Sequence, residues 1–600
     1  MTILNGLAWP AGLTTLAFAL SLGGCGGGSG DAGGTAAGST LASRPATDAA
    51  APSSAPTMSS TPVSAAPLAA ITVPDASQSI LTTPANIANG SVVELACGRT
   101  YQGTLDLKGK SNVTVKTSGT CGKATLVVGQ EITGWTQHQD NVYSAPIPFA
   151  AAQVLIDGQP IATAHWPSRA QTWAKAEGSS ASMLSYPMPN ADLTGATLVF
   201  RPHEWAVEAR RITAYSGGTM SLAKTGNPNY DGYALSGTPE FYVEGKLWML
   251  DEPGEWAISD GKLYVWTPDG QSPEGRAWAA PDRHGIDAAN SRGISIDGVR
   301  IFGTTNGINA PDAANLNVTG VDIVNSSGNG IMNSGGSALT VDRSSVRNSR
   351  HDGIVVKWGG GSESIRNSSI EATGVTGMPV NTHGAIVLTL SSGAKIVNNS
   401  VTNSGYIGIR FFRNATVAQN TVDGACLVLI DCGGLYTMAE DRQPLNSLVE
   451  GNTIRNVGRD HRHAWAVNLD ENSNAVTVAD NNISGSYNGM LIHNGFNNTI
   501  KGNTFSKSRQ SHIQMVESGS AARIVNNAVT GNRFAALDDE ETYRISSDLG
   551  TSAVARFAAY DGNTYANSSP AFANFNGELL NFSQWRTRTG QDGSSTMVAP

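Results

Sequence analysis

The chain has 600 residues, more than a usual single domain, but a solenoid grows by adding coils, so length alone does not count the domains. Only 14% of residues are charged while 68 are glycine, a balance that suits many tight turns between short strands and argues against long helices. The formal net charge of −9 leaves no broad basic footprint, which argues against nucleic acid and anionic lipid surfaces as partners, so an anionic ligand would need a local cationic pocket.

The first element is an apolar run from Leu13 to Leu22, too short to span a bilayer, followed by Gly23, Gly24 and Cys25. Residues 1–25 read as an export signal. Leu22-Gly23-Gly24-Cys25 resembles the lipobox of bacterial lipoproteins, which implies lipidation of Cys25 and a membrane contact made only through that anchor. No Lys or Arg precedes Leu13, so plain secretion stays open beside attachment to the outer membrane or cell surface. Residues 26–75 are Gly, Ala, Ser, Thr and Pro with few large apolar side chains, a composition that cannot offset chain entropy and predicts a flexible tether.

The folded body is expected from residue 76. Val92-Val93-Glu94-Leu95-Ala96 and Val113-Thr114-Val115 alternate as strands about one coil apart, giving first coils over 76–149. Cys97, Cys121, Cys426 and Cys432 form an even set whose closeness within each pair predicts Cys97–Cys121 and Cys426–Cys432 bridges in an oxidising compartment, with buried thiols as the alternative. Residues 150–283 interrupt the coils and hold Trp166, Trp173, Trp205, Trp248, Trp256, Trp266 and Trp278. They read as a small inserted β domain whose tryptophans are core in preference to sugar platforms.

From 284 to 535 short strands carry an apolar residue at coil spacing: Ile301, Ile323, Val346, Ile370, Val401, Val422, Ile454, Ile483, Phe505 and Val529. An Asn often stands two positions earlier, as at Asn399, Asn420, Asn452 and Asn503, which predicts an asparagine ladder at bends with left-handed dihedrals. The intervals Ile370 to Val401, Val422 to Ile454 and Ile454 to Ile483 are longer, and surplus residues in a solenoid emerge as loops on one face. Residues 536–600 read as a C-terminal segment packing on the helix. All of this describes an all-β, right-handed parallel β-helix, expected to be a monomer.

Val154-Leu155-Ile156-Asp157-Gly158, Ala164-His165-Trp166-Pro167, Leu250-Asp251-Glu252-Pro253-Gly254-Glu255-Trp256 and Leu263-Tyr264-Val265-Trp266 resemble the inserted domain of right-handed β-helix glycosidases of the β-xylosidase-like and α-fucosidase-like type. Phe582-Ser583-Gln584-Trp585 with Thr589-Gly590-Gln591-Asp592 is similar to the C-terminal segment of that group. The resemblance implies the fold and a polysaccharide substrate. Its motifs belong to the scaffold, and none transfers a catalytic residue.

One strand of each coil aligns by its inward residues: Ile354 and Val356, Ala385 and Val387, Ile409 and Phe411, Val467 and Leu469, Met490 and Ile492, Ile513 and Met515. The residues between them face outward and include Lys357, Arg410, Tyr436, Asn468, Asp470, His493 and Gln514, with Asp431 and Glu471 close by. Asp431 and Asp470 on neighbouring coils fit the paired carboxylates of glycoside hydrolysis, with His493, Tyr436 and Arg410 positioning, although both acids also suit plain turns. Lys357, Trp358, His383, Asn468, Glu471 and Gln514 are expected to bind substrate, with Trp358 and Trp465 stacking on sugar faces at the rim or else capping the core. His351 and His512 are weaker candidates, and Arg459-Asp460-His461-Arg462-His463 reads as a loop closing over the cleft or as a solvated charge run.

No cofactor is expected for hydrolysis. A lyase would use Lys357, Arg410, Tyr436 and His493 on a uronate, with Ca²⁺ as an option, although no dense Asp cluster marks a metal site. An epimerase and a non-catalytic carbohydrate-binding surface protein complete the alternatives.

Overall fold

A computed structural model describes residues 81–599 except 169–172, 181, 189–191, 225–236, 376–383, 459–462, 519–522, 537–538, 548–553 and 568. The chain divides into two compact units, residues 1–58 and 59–600, and the described residues lie in the second. Three sheets of 15, 13 and 14 strands run through it, and successive strands of each sheet come from successive coils. It is a right-handed parallel β-helix.

In the first sheet Ile301, Ile323, Val346, Ile370, Val401, Val422, Ile454, Ile483 and Phe505 pair coil over coil and are buried. Each such side chain contributes about 1.5–3 kcal/mol of burial. One member of the sequence ladder is corrected: Phe505 pairs Phe534, whereas Val529 lies in the second sheet between Ile500 and Tyr560. Val529 and Phe534 are both inward residues on either side of one bend, and apolar spacing alone does not tell the two sheets apart.

The asparagine ladder forms through Asn399, Asn420, Asn452, Asn481, Asn503, Asn532 and Asn563. The backbone N–H and Nδ2 of Asn399 both donate to Oδ1 of Asn420, at 2.9 and 3.0 Å, and the pattern repeats along the stack. The left-handed turn is made by the residue before each ladder position, such as Asn398 (φ 56°), Gln419 (φ 56°) and Asp480 (φ 55°), and not by the ladder asparagine as the sequence suggested. With the neighbour making the turn, the amide points inward to reach the next coil.

Entry into the third sheet needs close approach. A Cβ on Gly307 would lie 2.4 Å from Ile323 Cγ2 and 2.7 Å from the Gly330 carbonyl, so the column Gly285, Gly307, Gly330, Gly353 leaves no room for a side chain. The next position is inward: Ile354, Ile386, Ile409, Leu435, Val467, Met490 and Ile513 stack in turn. Ile386 and Leu388 therefore replace Ala385 and Val387 as the inward pair, and Val387 instead pairs Arg410 on the outward phase. The run Gly384–Thr389 is apolar on both faces, so alternation could not set its register.

The insertion forms two further sheets. One takes in Gln130–Glu131, Thr136–Gln139 and Val142–Pro146, ahead of residue 150, because these strands pair with one another's neighbours in the insertion and not with coils. The helix resumes seamlessly, with Ala124–Val127 pairing Val299–Thr304. Trp278 locks the insertion to the first sheet by packing with Val127, Leu155, Phe302 and Val324. Beyond 535 the coils continue through Glu541–Ser547, Ala558–Asp561, Thr564–Asn567 and Ala573–Phe575, and helix Phe582–Thr589 seats Trp585 in the core. Both predicted disulfides form, with Cα separations of 5.3 Å for Cys97–Cys121 and 6.1 Å for Cys426–Cys432. Such bridges belong to an oxidising compartment. Among the described residues no helix is long and apolar enough to cross a membrane.

Candidate active site

The outward residues of the third sheet form two parallel columns. Register places Val387, Arg410, Tyr436, Asn468, Leu491 and Gln514 in one. Two positions further along, Lys357 pairs Thr389, and several coils later Asp470 follows Leu469 just as His493 follows its partner Ile492. The single stripe read from the sequence is thus two, and the chemistry gathers where they run side by side.

Asp470 is the hub. Its Oδ2 accepts the Tyr436 hydroxyl at 2.6 Å and its Oδ1 lies 3.0 Å from His493 Nδ1, which is also 3.2 Å from Glu471 Oε2. An Nδ1 facing two carboxylates carries the proton. Burial pushes the Asp470 carboxyl up, but the bond and charge of His493 and the Tyr436 hydroxyl outweigh it and hold the group below the usual carboxylate range. Burial pulls His493 down, yet its bond to Asp470 and the charges of Asp470, Glu471 and Asp431 leave it above its ordinary value. Arg410 lies over the Tyr436 ring, 5.1 Å from its centroid.

Asp431 has the opposite environment. It lies within the turn closed by the Cys426–Cys432 bridge, in left-handed backbone (φ 57°), with its N–H donating to the His463 carbonyl at 2.6 Å and its own carbonyl accepting the Tyr406 hydroxyl at 2.8 Å. Its backbone is fixed while its carboxylate Oδ1 is buried without a hydrogen-bond partner. Burial, then the charges of Asp470 and Glu204, push its carboxyl from 3.8 to about 7. Asn468, fully buried between Tyr436 and Leu491, likewise has neither amide atom bonded. Two buried polar groups at the site thus lack a hydrogen-bond partner.

The insertion supplies the opposite wall. Strands Thr197–His203 and Ala206–Ser216 form a hairpin whose Val199 and Val207 join the helix core, carrying its tip to Asp431. The Glu204 carbonyl accepts the Ile430 N–H at 3.3 Å, and Glu204 Oε1 is 2.9 Å from His463 Nδ1.

Of the sequence candidates, Asp431, Asp470, His493, Tyr436, Arg410, Asn468 and Glu471 come together, and Gln514 joins through the indole N–H of Trp465 at 2.9 Å. Lys357 lies in the outer column on a coil well before Asp470, and burial lowers its ammonium pKa. Trp358 is 62% exposed and does not reach the cluster. His512 is corrected: it is fully buried, 2.7 Å from Glu540 and stacked with Phe505 and Phe534, so it does not line the cleft. His351 is half-buried on the turn before Ile354–Lys357. His383 and residues 459–462 lie outside the described residues, as do Cys25 and the leader. Among the described residues no group of three His, Cys, Asp or Glu could hold a metal ion. Sequence reasoning missed Glu204 and Tyr406. Glu204 is 259 residues from His463, and its one local signal is the polar His203-Glu204-Trp205 turn between two alternating strands.

A family profile described as right handed beta helix region matches residues 284–454 and 433–546. A search of curated proteins finds no match. Among solved structures, one titled glycoside hydrolase is similar at a TM-score of 0.50 and 16% identity, over 70% of this chain and 90% of that one. The A-module of the Azotobacter vinelandii mannuronan C-5 epimerase AlgE4 gives 0.31 and 13%, over 54% and 86%. The catalytic domain of a GH87 alpha-1,3-glucanase in complex with tetrasaccharides gives 0.31 and 10%, over 76% and 90%. At these identities the likeness concerns the fold.

Proposed function

We propose that this protein is an exported polysaccharide-degrading enzyme, and specifically a glycoside hydrolase in which Asp431 is the general acid and Asp470 the base or nucleophile. The observation that carries this reading is the divergence of two neighbouring carboxyls: one is desolvated and keeps its proton to about pH 7, the other is held ionised by His493 and Tyr436. Protonated Asp431 gives its proton to the leaving glycosidic oxygen, and ionised Asp470 activates water or attacks the anomeric carbon, so that bond cleavage and proton delivery balance. His493 and Tyr436 hold Asp470 in place, while Arg410 binds sugar hydroxyls. The fold shared with a protein titled glycoside hydrolase agrees with this reading without deciding it. Export through the leader, lipid attachment at Cys25 and action as a monomer belong to the same proposal.

The Arg410 guanidinium over Tyr436 supports a second reading, a lyase or epimerase in which the cation neutralises a uronate carboxylate. One experiment separates the two. The protein is incubated with neutral and uronate-containing polysaccharides while reducing ends and ultraviolet absorbance are followed together. Hydrolysis raises reducing ends without absorbance, and Asp431→Asn and Asp470→Asn each remove most of the rise. Unsaturated, absorbing products overturn hydrolysis in favour of elimination.

A further inference from the structure

The hairpin tip meets the helix beside Asp431, where the Glu204 carbonyl accepts the Ile430 N–H, and its chemistry is unlike that of a structural clasp. His203 and Trp205 stack with centroids 4.5 Å apart and planes within 3°. On the helix, His463 and Trp465 lie parallel at 6.3 Å with planes within 5°. Glu204 ties the two pairs together through His463 Nδ1. Trp256 and Trp278 of the same insertion are core, at 7% and 2% exposure, whereas Trp205 packs against the helix core yet stays half-buried, and His203 is exposed. A register irregularity between Phe200 and His203 re-aims the tip, as bulges beside sites do.

We propose that the His203–Trp205 stack, held against the helix by Glu204, is a subsite that receives a pyranose ring of the polymer immediately beside Asp431. The inference rests on the polysaccharide reading above and deepens it by making the active site composite between insertion and helix. A pyranose presents an apolar C–H face and a rim of hydroxyls. A rigid aromatic pair matches the face, and the His463 ring that Glu204 holds matches the rim. Glu204 acts as a positioning residue, because its carbonyl on Ile430 and its carboxylate on His463 set how far the tip stands from Asp431.

The test uses the full chain carrying Asp470→Asn, so that oligosaccharides bind without being turned over, and calorimetry with cello-, xylo-, laminari- and mannuronate hexasaccharides and the matching disaccharides. On this background Trp205→Ala weakens the hexasaccharide that binds by about tenfold or more, while Trp205→Phe, which keeps a ring and its packing, stays within about threefold. His203→Ala, at an exposed position, gives a smaller loss in the same direction, and Glu204→Gln lies between. Unchanged affinity in Trp205→Ala and His203→Ala overturns the subsite and leaves the carboxylate reading standing. Equal losses for Ala and Phe, or for every sugar regardless of length, assign Trp205 a structural role and also overturn it. If no hexasaccharide binds either the Asp470→Asn or the unaltered protein, the polysaccharide reading itself fails and the subsite with it.

Discussion

Replacing Asp431 by Asn should stabilise the fold while removing activity. The Asp431 carboxyl has a folded pKa of about 7 against an ordinary 3.8. The native state therefore keeps a proton that the unfolded chain releases, and the sign follows. Below about pH 4 both states are protonated and the group is neutral to stability. Between about pH 4 and 7 only the unfolded chain ionises, and the fold loses about 1.4 kcal/mol per pH unit, reaching about 4 kcal/mol at pH 8. Asn cannot ionise, so the variant escapes this penalty. Urea unfolding followed by tryptophan fluorescence at pH 4, 6 and 8 should show midpoints that coincide at pH 4 and separate progressively in favour of Asp431→Asn. Turnover of a polysaccharide substrate should fall by about 10²–10⁴, the usual contribution of a general acid. A variant no more stable than the parent at pH 8 would falsify the claim that Asp431 is a desolvated, proton-holding carboxyl, and with it the assignment of acid and base.

Tyr436→Phe deletes the 2.6 Å donor to Asp470 Oδ2, so the Asp470 carboxyl rises and the acidic limb of kcat/KM moves up by about one pH unit; a limb that stays put counts against Asp470 as the ionised partner. Asp470→Asn should keep the far-ultraviolet circular dichroism of the parent yet lose most turnover, and full activity would remove Asp470 from the mechanism. Asn452→Ala breaks the ladder in both directions, leaving both Asn420 donors without their acceptor, and should destabilise the fold by about 2–4 kcal/mol in thermal melts without altering the pH profile. Opening Cys426–Cys432 with Cys426→Ser and Cys432→Ser together should lower turnover more than stability, since the bridge closes only a six-residue separation beside Asp431; a large loss of Tm with unchanged turnover would contradict this.

The solenoid was legible because its signals are local and repeated. Every coil from Ile301 to Phe505 states the same inward residue at the same phase, and Asn399, Asn420, Asn452 and Asn503 state the same bend. Where residues on both faces are apolar the signal fails, as at Gly384–Thr389, whose inward pair was misread by one position. Asp470, His493 and Tyr436 could be grouped from alternation because they follow aligned inward residues. The split into two columns could not, because it depends on how many residues each strand carries beyond the glycine bend. Glu204 was beyond reach for a different reason: the contact between the hairpin tip and Asp431 is created by docking of the insertion through Val199 and Val207, and no periodicity links a hairpin to a coil so far along the chain. The tryptophans follow the expectation more closely, since Trp256 and Trp278 are core and Trp205 is half-buried against the helix core.

The location of the site follows from these two kinds of irregularity acting together. Asp431 lies in the long interval between Val422 and Ile454, and Asp470 in the long interval between Ile454 and Ile483. Surplus residues let one coil make the disulfide-closed turn that presents Asp431 and the next end its strand at Asp470. Register sets Asp431 opposite His463 and Asp470 just beyond the Thr437–Leu469 pair, so the acids stand at opposite ends of two paired strands, and the charge of Asp470 still reaches Asp431. A regular solenoid face would leave both carboxyls hydrated and alike, and like neighbours of equal exposure give no acid and no base. The hairpin adds to the difference: the Glu204 charge raises the Asp431 carboxyl, while His493 and Tyr436 place hydrogen-bond donors on Asp470. The insertion is therefore a determinant of proton affinity in the site, because Glu204 sets a like charge beside one carboxyl of a pair whose other member is held by donors from the coils.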